Sequence, residues 1–234
     1  MKKYFFLSVI CLLLATRGQA QETNTHRRVS VGIYIGPTLD WLSPKTEGDQ
    51  RGGVRVGGSF GIPVDINFLK TYENYFVSTG LRFEIFNGRL HYPDKDKDNL
   101  NEIDLYRKYN AFSLAIPTGL KLKTPDFSGF VMAGNFGFYH GFLLSATKFD
   151  TYKLDDKDVT DVKKEIYKNT LFLKESIYAG LGVEYTIKDS FKAHFYMNYI
   201  YGMTNFFNGK EKTIDNLKRV ANAHSVEFLF GLSF

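Results

Sequence analysis

The chain has 234 residues, 44% of them hydrophobic, 24% charged and 16% aromatic, with a formal net charge of +5. That mixture excludes collagen-like, coiled-coil and disordered chains, which need far more skewed compositions. Lys2, Lys3 and Arg17 fall in the first twenty residues, which hold no acid, so the rest carries 27 bases against 25 acids; a nucleic-acid binder would concentrate a basic surplus, and no nucleic acid is expected as a partner.

Residues 1–20 read as a cleaved signal peptide. Lys2 and Lys3 precede an apolar run from Tyr4 to Ala15, and Gly18-Gln19-Ala20 offers small residues at a cleavage site before Gln21. The run is too short for a spanning helix, which needs about twenty residues. It contains Cys11, the sole cysteine, after Ile10 rather than a small residue, which argues against a lipoprotein signal. Once it is removed, disulfides, thiolate-bound zinc and thiol catalysis are excluded together. Residues 21–28 are expected to form a short periplasmic segment ahead of a barrel at 29–234.

Eight alternating segments follow, at 29–36, 53–68, 75–86, 111–122, 129–145, 171–187, 191–204 and 224–234. In the second, Val54, Val56, Phe60, Ile62, Val64, Ile66 and Phe68 alternate with Arg55, Gly57, Ser59, Gly61, Pro63, Asp65 and Asn67. The third sets Tyr75, Val77, Leu81, Phe83 and Ile85 against Ser78, Gly80, Arg82 and Glu84. Period two is the signature of strands with two unlike faces.

A soluble barrel would turn the apolar face inward and coat the outside with Lys, Glu and Thr. Here the polar face is mostly Gly, Ala and Ser, broken by single charges such as Arg55, Arg82, Glu84, Lys121, Glu184 and Lys192. Small residues with a few charges suit a crowded lumen, and the continuous Phe/Val/Leu face suits lipid. Tyr75, Tyr185, Tyr199 and Tyr201 fall towards strand ends, where interfacial girdles belong. The gaps at 69–74, 123–128 and 188–190 are short, whereas 37–52, 87–110, 146–170 and 205–223 are long and charged. Short periplasmic turns and long extracellular loops are expected of an outer-membrane barrel. The fold class predicted is therefore all-β: an eight-stranded antiparallel up-and-down transmembrane barrel in the cell outer membrane. Its surroundings would be outer-membrane lipid and lipopolysaccharide.

The sequence resembles the PorT-like outer-membrane β-barrel proteins of the Bacteroidetes over most of 29–234. The resemblance rests on Val77-Ser78-Thr79-Gly80-Leu81-Arg82-Phe83, on Ala115-Ile116-Pro117 with Leu120-Lys121, on Ala179-Gly180-Leu181-Gly182-Val183-Glu184-Tyr185, and on Tyr199-Ile200-Tyr201-Gly202-Met203-Thr204-Asn205. The terminal Phe234, with Leu232 and Phe230 at alternate positions, looks like the carboxy-terminal signal read by the barrel-assembly machinery. The resemblance implies an accessory or scaffold role through protein partners, in type IX secretion or outer-membrane protein assembly. It implies no catalytic motif and no cofactor.

An eight-stranded barrel is just wide enough for its own side chains, so a wide pore is not expected. A tight turn at 188–190 would set Glu184 opposite His194 inside, with Glu227 in the same column. Such a set could do acid–base work, yet a satisfied network filling the lumen is favoured, because buried charges must be paired. Arg55, Arg82, Glu84, Glu184, His194 and Glu227 are the expected members. Asp94-Lys95-Asp96-Lys97-Asp98 fails the calcium-loop pattern, with Asn99 at the sixth position and Leu105 at the twelfth. No metal site is expected. The Lys/Asp-rich stretch from Lys148 to Asn169 suits an exposed loop or lipopolysaccharide phosphates, and His140 suits a polar handle at the interface. The protein is expected not to be an enzyme. One alternative is an enzyme acting on lipid or peptide at the outer rim through His91 and Asp94; another is a soluble periplasmic ligand-binding barrel.

Overall fold

The computed structural model describes residues 29–69, 74–95, 102–154, 157–160, 163–188, 191–211 and 218–234. The signal segment and residues 96–98 of the acidic stretch lie outside them. The strands are β1 (Val29–Pro44), β2 (Gln50–Arg51), β3 (Arg55–Asn67), β4 (Tyr75–Lys95), β5 (Glu102–Lys123), β6 (Phe130–Leu154), β7 (Lys157–Thr160), β8 (Lys164–Glu165), β9 (Leu173–Lys188), β10 (Phe191–Asn205) and β11 (Ala221–Ser233).

Eight of these close into a ring in the order β1, β3, β4, β5, β6, β9, β10, β11, with β11 returning to β1, and every pairing is antiparallel. Closure leaves no edge, the condition for strands to exist in hydrocarbon where backbone groups have no water to bond. The short β2 pairs with β4, and β7 and β8 pair with β6, above the ring.

The facing read from period two is the facing observed. Ile33, Ile35, Val56, Phe60, Leu81 and Phe136 are more than a third exposed on the outer wall, whereas Ser59, Ser78, Arg82, Glu184 and Glu227 are buried inside. Phe130 packs in a tilted arrangement against Tyr185 at the periplasmic end (4.7 Å), and Trp41 stacks with Tyr199 near the other (6.2 Å). A belt of this breadth bounded by aromatics matches lipid and would not survive against water. Gly80 in β4 has φ 137°, and a Cβ there would press on the Ile62 carbonyl of β3, so only glycine fits.

Strand ends differ from the sequence-based boundaries. β1 runs to Pro44 rather than 36, β4 to Lys95 rather than 86, β5 begins at Glu102 rather than 111, and β6 reaches Leu154 rather than 145. About 9–11 residues cross a bilayer, so the 21, 22 and 25 residues of β4, β5 and β6 stand well clear of it. Much of what reads as long extracellular loop is a raised rim of paired strand.

Candidate functional site in the barrel lumen

The inward residues form stacked layers. Nearest the periplasm, Lys121 Nζ meets Asp65 Oδ2 at 2.6 Å, and Ser78 Oγ donates to Asp65 Oδ1 at 2.7 Å. Glu184 accepts from Lys123 Nζ at 2.9 Å and from the Tyr196 hydroxyl at 2.6 Å. In the middle layer Arg82 Nη2 lies 2.7 Å from Glu227 Oε1 and 3.6 Å from Glu84 Oε1. Glu227 also accepts from Ser59 Oγ at 2.5 Å and Asn198 Nδ2 at 3.1 Å. The Arg82 guanidinium lies 4.7 Å over the Tyr139 ring, itself stacked on Tyr178 at 4.3 Å.

His194 and Glu184 are direct register partners, as a tight turn at 188–190 requires. They form no bonded acid–base pair, the less favoured reading, because Lys123 and Tyr196 occupy the carboxylate and draw Glu184 into a satisfied network. Glu227 pairs with Asn198, four residues along β10 from His194, and so belongs to the middle layer rather than to that column. Arg55 is not brought into the network: it sits half-buried at the outer rim with no ion pair among the described residues. Asp65, Lys123, Tyr196 and Asn198 complete the lumen instead. Their inward parity is readable from the alternation, but their partners are not.

Above the charges lies an apolar lid. After β10 the chain turns inward, held by Phe206 N–H to the Ala221 carbonyl (2.7 Å) and Leu171 N–H to the Phe206 carbonyl (3.0 Å). Phe206 and Phe207 are thereby buried among Leu42, Phe86, Leu90 and Tyr109. Lys174 Nζ packs 4.8 Å from the centre of the Phe206 ring. A charged collar seals the edge of the lid. Arg107 binds Asp150 through two bonds, at 2.5 and 2.7 Å, and Glu211 at 2.9 Å. Lys148 and Asn169 donate to the same Glu211, at 2.9 and 3.0 Å, and Arg219 lies 3.7 Å over the Tyr92 ring. Lys148, Asp150 and Asn169 belong to the stretch expected to be a solvated loop. The collar draws them in because Arg107 and Glu211 must be paired where they are buried.

Glu211 lies outside the membrane. Burial alone would raise its pKa, but the bonds from Lys148 and Asn169 and the charges of Lys148 and Arg107 hold it below the usual carboxylate value. A depressed folded-state pKa contributes stability above the unfolded value, and that stability is lost as pH falls through the folded one. Asp49 runs the other way: burial raises its pKa against the pull of Arg219 and Arg107, so acid favours its folded form. The comparison that isolates Glu211 is the wild type against Glu211→Gln. Hydrogen-exchange protection of the Asn208 and Arg219 amides, which bond Asn169 and Glu211 carbonyls, should fall in the wild type below about pH 4. In the variant that acid step should vanish.

Among the described residues, two lumen cavities measure about 50 and 30 Å³, each with room for a few waters at most. Among the described residues, no group of three or more His, Asp and Glu could hold a metal. His91, one of the two rim candidates, contacts Gln50 Oε1 at 3.2 Å and stacks on Tyr106 at 4.5 Å, tying β2 to the rim.

Residues 19–208 match the family whose description is outer membrane protein beta-barrel domain. The structure is similar to neisserial surface protein A, at 11% identity over 88% of this chain and 96% of that one, TM-score 0.42. It is also similar to OprG from Pseudomonas aeruginosa, at 14% identity over 91% and 99%, TM-score 0.42. The outer membrane protease OmpT from Escherichia coli is 10% identical over 92% and 99%, TM-score 0.37. No curated protein matches the sequence.

Proposed function

The chain belongs to the family of outer membrane protein beta-barrel domains, and from that premise we propose that it is an accessory or scaffold subunit working through protein partners. It resides in the outer membrane as a closed eight-stranded barrel, which removes the soluble periplasmic alternative. The observation that carries the proposal is the filled lumen: among the described residues, ion-pair layers below and the Phe206–Phe207 lid above occupy its interior. A barrel that neither conducts nor binds a sizeable ligand inside offers its rims and outer wall to other molecules.

The motifs shared with PorT-like proteins favour type IX secretion or outer-membrane protein assembly as the process served. Phe230 and Leu232 pair with Ile35 and Ile33 on the strand that closes the ring, facing lipid. With Phe234 they form the segment that the barrel-assembly machinery would engage. The lumen network serves as structure rather than catalysis, a reading supported by Glu184 being held by Lys123 and by His194 bonding no carboxylate among the described residues. The raised rim and its collar meet the lipopolysaccharide layer.

Purification from native outer membranes in mild detergent tests the proposal. The expected result is recovery with one or more envelope proteins in fixed stoichiometry. Recovery as a lone chain under conditions that preserve other envelope complexes would contradict it.

A further inference from the structure

Three polar side chains on the outer wall form an ordered chain. The Thr118 hydroxyl on β5 lies 2.9 Å from His140 Nε2 on β6, and His140 Nδ1 lies 2.7 Å from Glu175 Oε2 on β9. An ionised carboxylate only accepts, so Nδ1 carries the ring proton and Nε2 is left to accept from the Thr118 hydroxyl. That is the arrangement of a hydroxyl nucleophile, its general base and an orienting carboxylate. Glu175 is the direct register partner of His140. Its backbone N–H donates to Thr204 Oγ1 at 3.2 Å, and the Phe138 ring stacks on the imidazole at 6.4 Å.

The depth of the chain in the membrane matters as much as its order. Phe130 and Tyr185 pair at the periplasmic rim, and His140 and Glu175 pair ten residues further along the same two strands. About 9–11 residues cross the hydrocarbon, so the chain sits at the outer boundary, where the acyl esters of a lipid lie. Around it the wall is apolar, with Ile116, Phe136, Phe138, Leu173 and Ile177 all exposed. One interfacial handle would account for His140 alone. It does not account for a relay ending in an exposed hydroxyl.

We infer that Thr118, His140 and Glu175 form an acyl-transfer site for carboxylic esters of outer-leaflet lipids. Thr118 Oγ1 attacks the ester carbonyl as its proton passes to His140 Nε2. The bond to the glycerol oxygen breaks, and His140 returns the proton to that leaving oxygen, so that the acyl group rests on Thr118. Water then attacks the same carbon, giving a proton to His140. The bond to Oγ1 breaks, Thr118 recovers its proton and a fatty acid leaves. Thr118 and His140 are the catalytic residues; Glu175 is a positioning residue that holds the tautomer. The site stands apart from the lumen and goes beyond the accessory role, which neither requires nor forbids it.

The test uses the full barrel in vesicles of dioleoyl phosphatidylethanolamine and dioleoyl phosphatidylglycerol, following free oleate. Wild type should release oleate above protein-free vesicles, and Thr118→Ser should keep that activity. The isosteric Thr118→Val and the His140→Ala variant should fall to background while keeping the heat-sensitive gel migration of a folded barrel. Glu175→Gln should lower the rate at least tenfold and displace the pH profile, which a merely structural residue would not do. Release by wild type no greater than in protein-free vesicles would overturn the inference, as would a folded Thr118→Val that matches wild type.

Discussion

Replacing Glu227 by Leu is expected to destabilise the barrel by about 3–5 kcal/mol, the usual result of removing one partner from a buried pair. Arg82 is 1% exposed and Glu227 0%, so nothing from solvent can take the lost carboxylate's place. The change also strands Ser59 and Asn198, which donate to the same group. Glu84, 3.6 Å from Arg82, is too far for more than partial compensation. The double variant Arg82→Met/Glu227→Leu should recover most of the loss, because a buried pair exchanged for apolar groups of like volume is often near neutral. Urea titration of the barrel in micelles, read by Trp41 fluorescence and gel mobility, measures both. A single variant as stable as wild type would mean that the two charges do not meet in the lumen.

Phe136→Arg is the second large effect. Phe136 is 50% exposed on β6, six residues above Phe130 at the periplasmic rim, which places it near mid-membrane. Arginine there should cost about 2–4 kcal/mol. The control is Tyr167→Arg, an aromatic of similar exposure (43%) in the short 3-10 turn Tyr167–Asn169 above the membrane. It should shift stability by less than about 0.5 kcal/mol, as surface changes usually do. Equal tolerance at the two sites, measured by the same titration, would mean that β6 does not turn this face to lipid.

The barrel's span was legible because one environment lies on each side of the wall for its whole height. With lipid outside and a narrow polar lumen inside, period two sorts Val56, Phe60 and Ile62 from Gly57, Ser59 and Gly61 without ambiguity. Above the membrane the outside becomes water and the inside becomes the lid, so the alternation inverts. Leu90 and Tyr92 are buried while Arg89 and His91, at the alternate positions, are only partly so. Reading apolar as lipid-facing therefore ends strands at the boundary, which is why β4 and β5 appeared shorter than they are.

Pairing across the lumen was the other blind spot. His194 opposite Glu184 follows from turn length alone, since β9 and β10 are neighbours. The bonds that decide what those residues do come from strands further round the ring: Lys123 on β5 reaches Glu184 on β9, and Arg82 on β4 reaches Glu227 on β11. No local pattern encodes such chords. They depend on the barrel's radius and on the stagger of strands that never pair. The Thr118–His140–Glu175 chain joins adjacent strands, β5, β6 and β9, but the connection from β6 to β9 is too long for its length to set the register of His140 against Glu175.

The most direct measurement of the account is single-channel recording on the purified barrel in a planar lipid bilayer, at neutral pH. A lumen filled by paired charges and closed by Phe206 and Phe207 predicts stable insertion with no resolvable conductance. A steady open channel in the wild type would contradict the sealed lumen, and with it the reading of this barrel as one that works through its rims and outer wall.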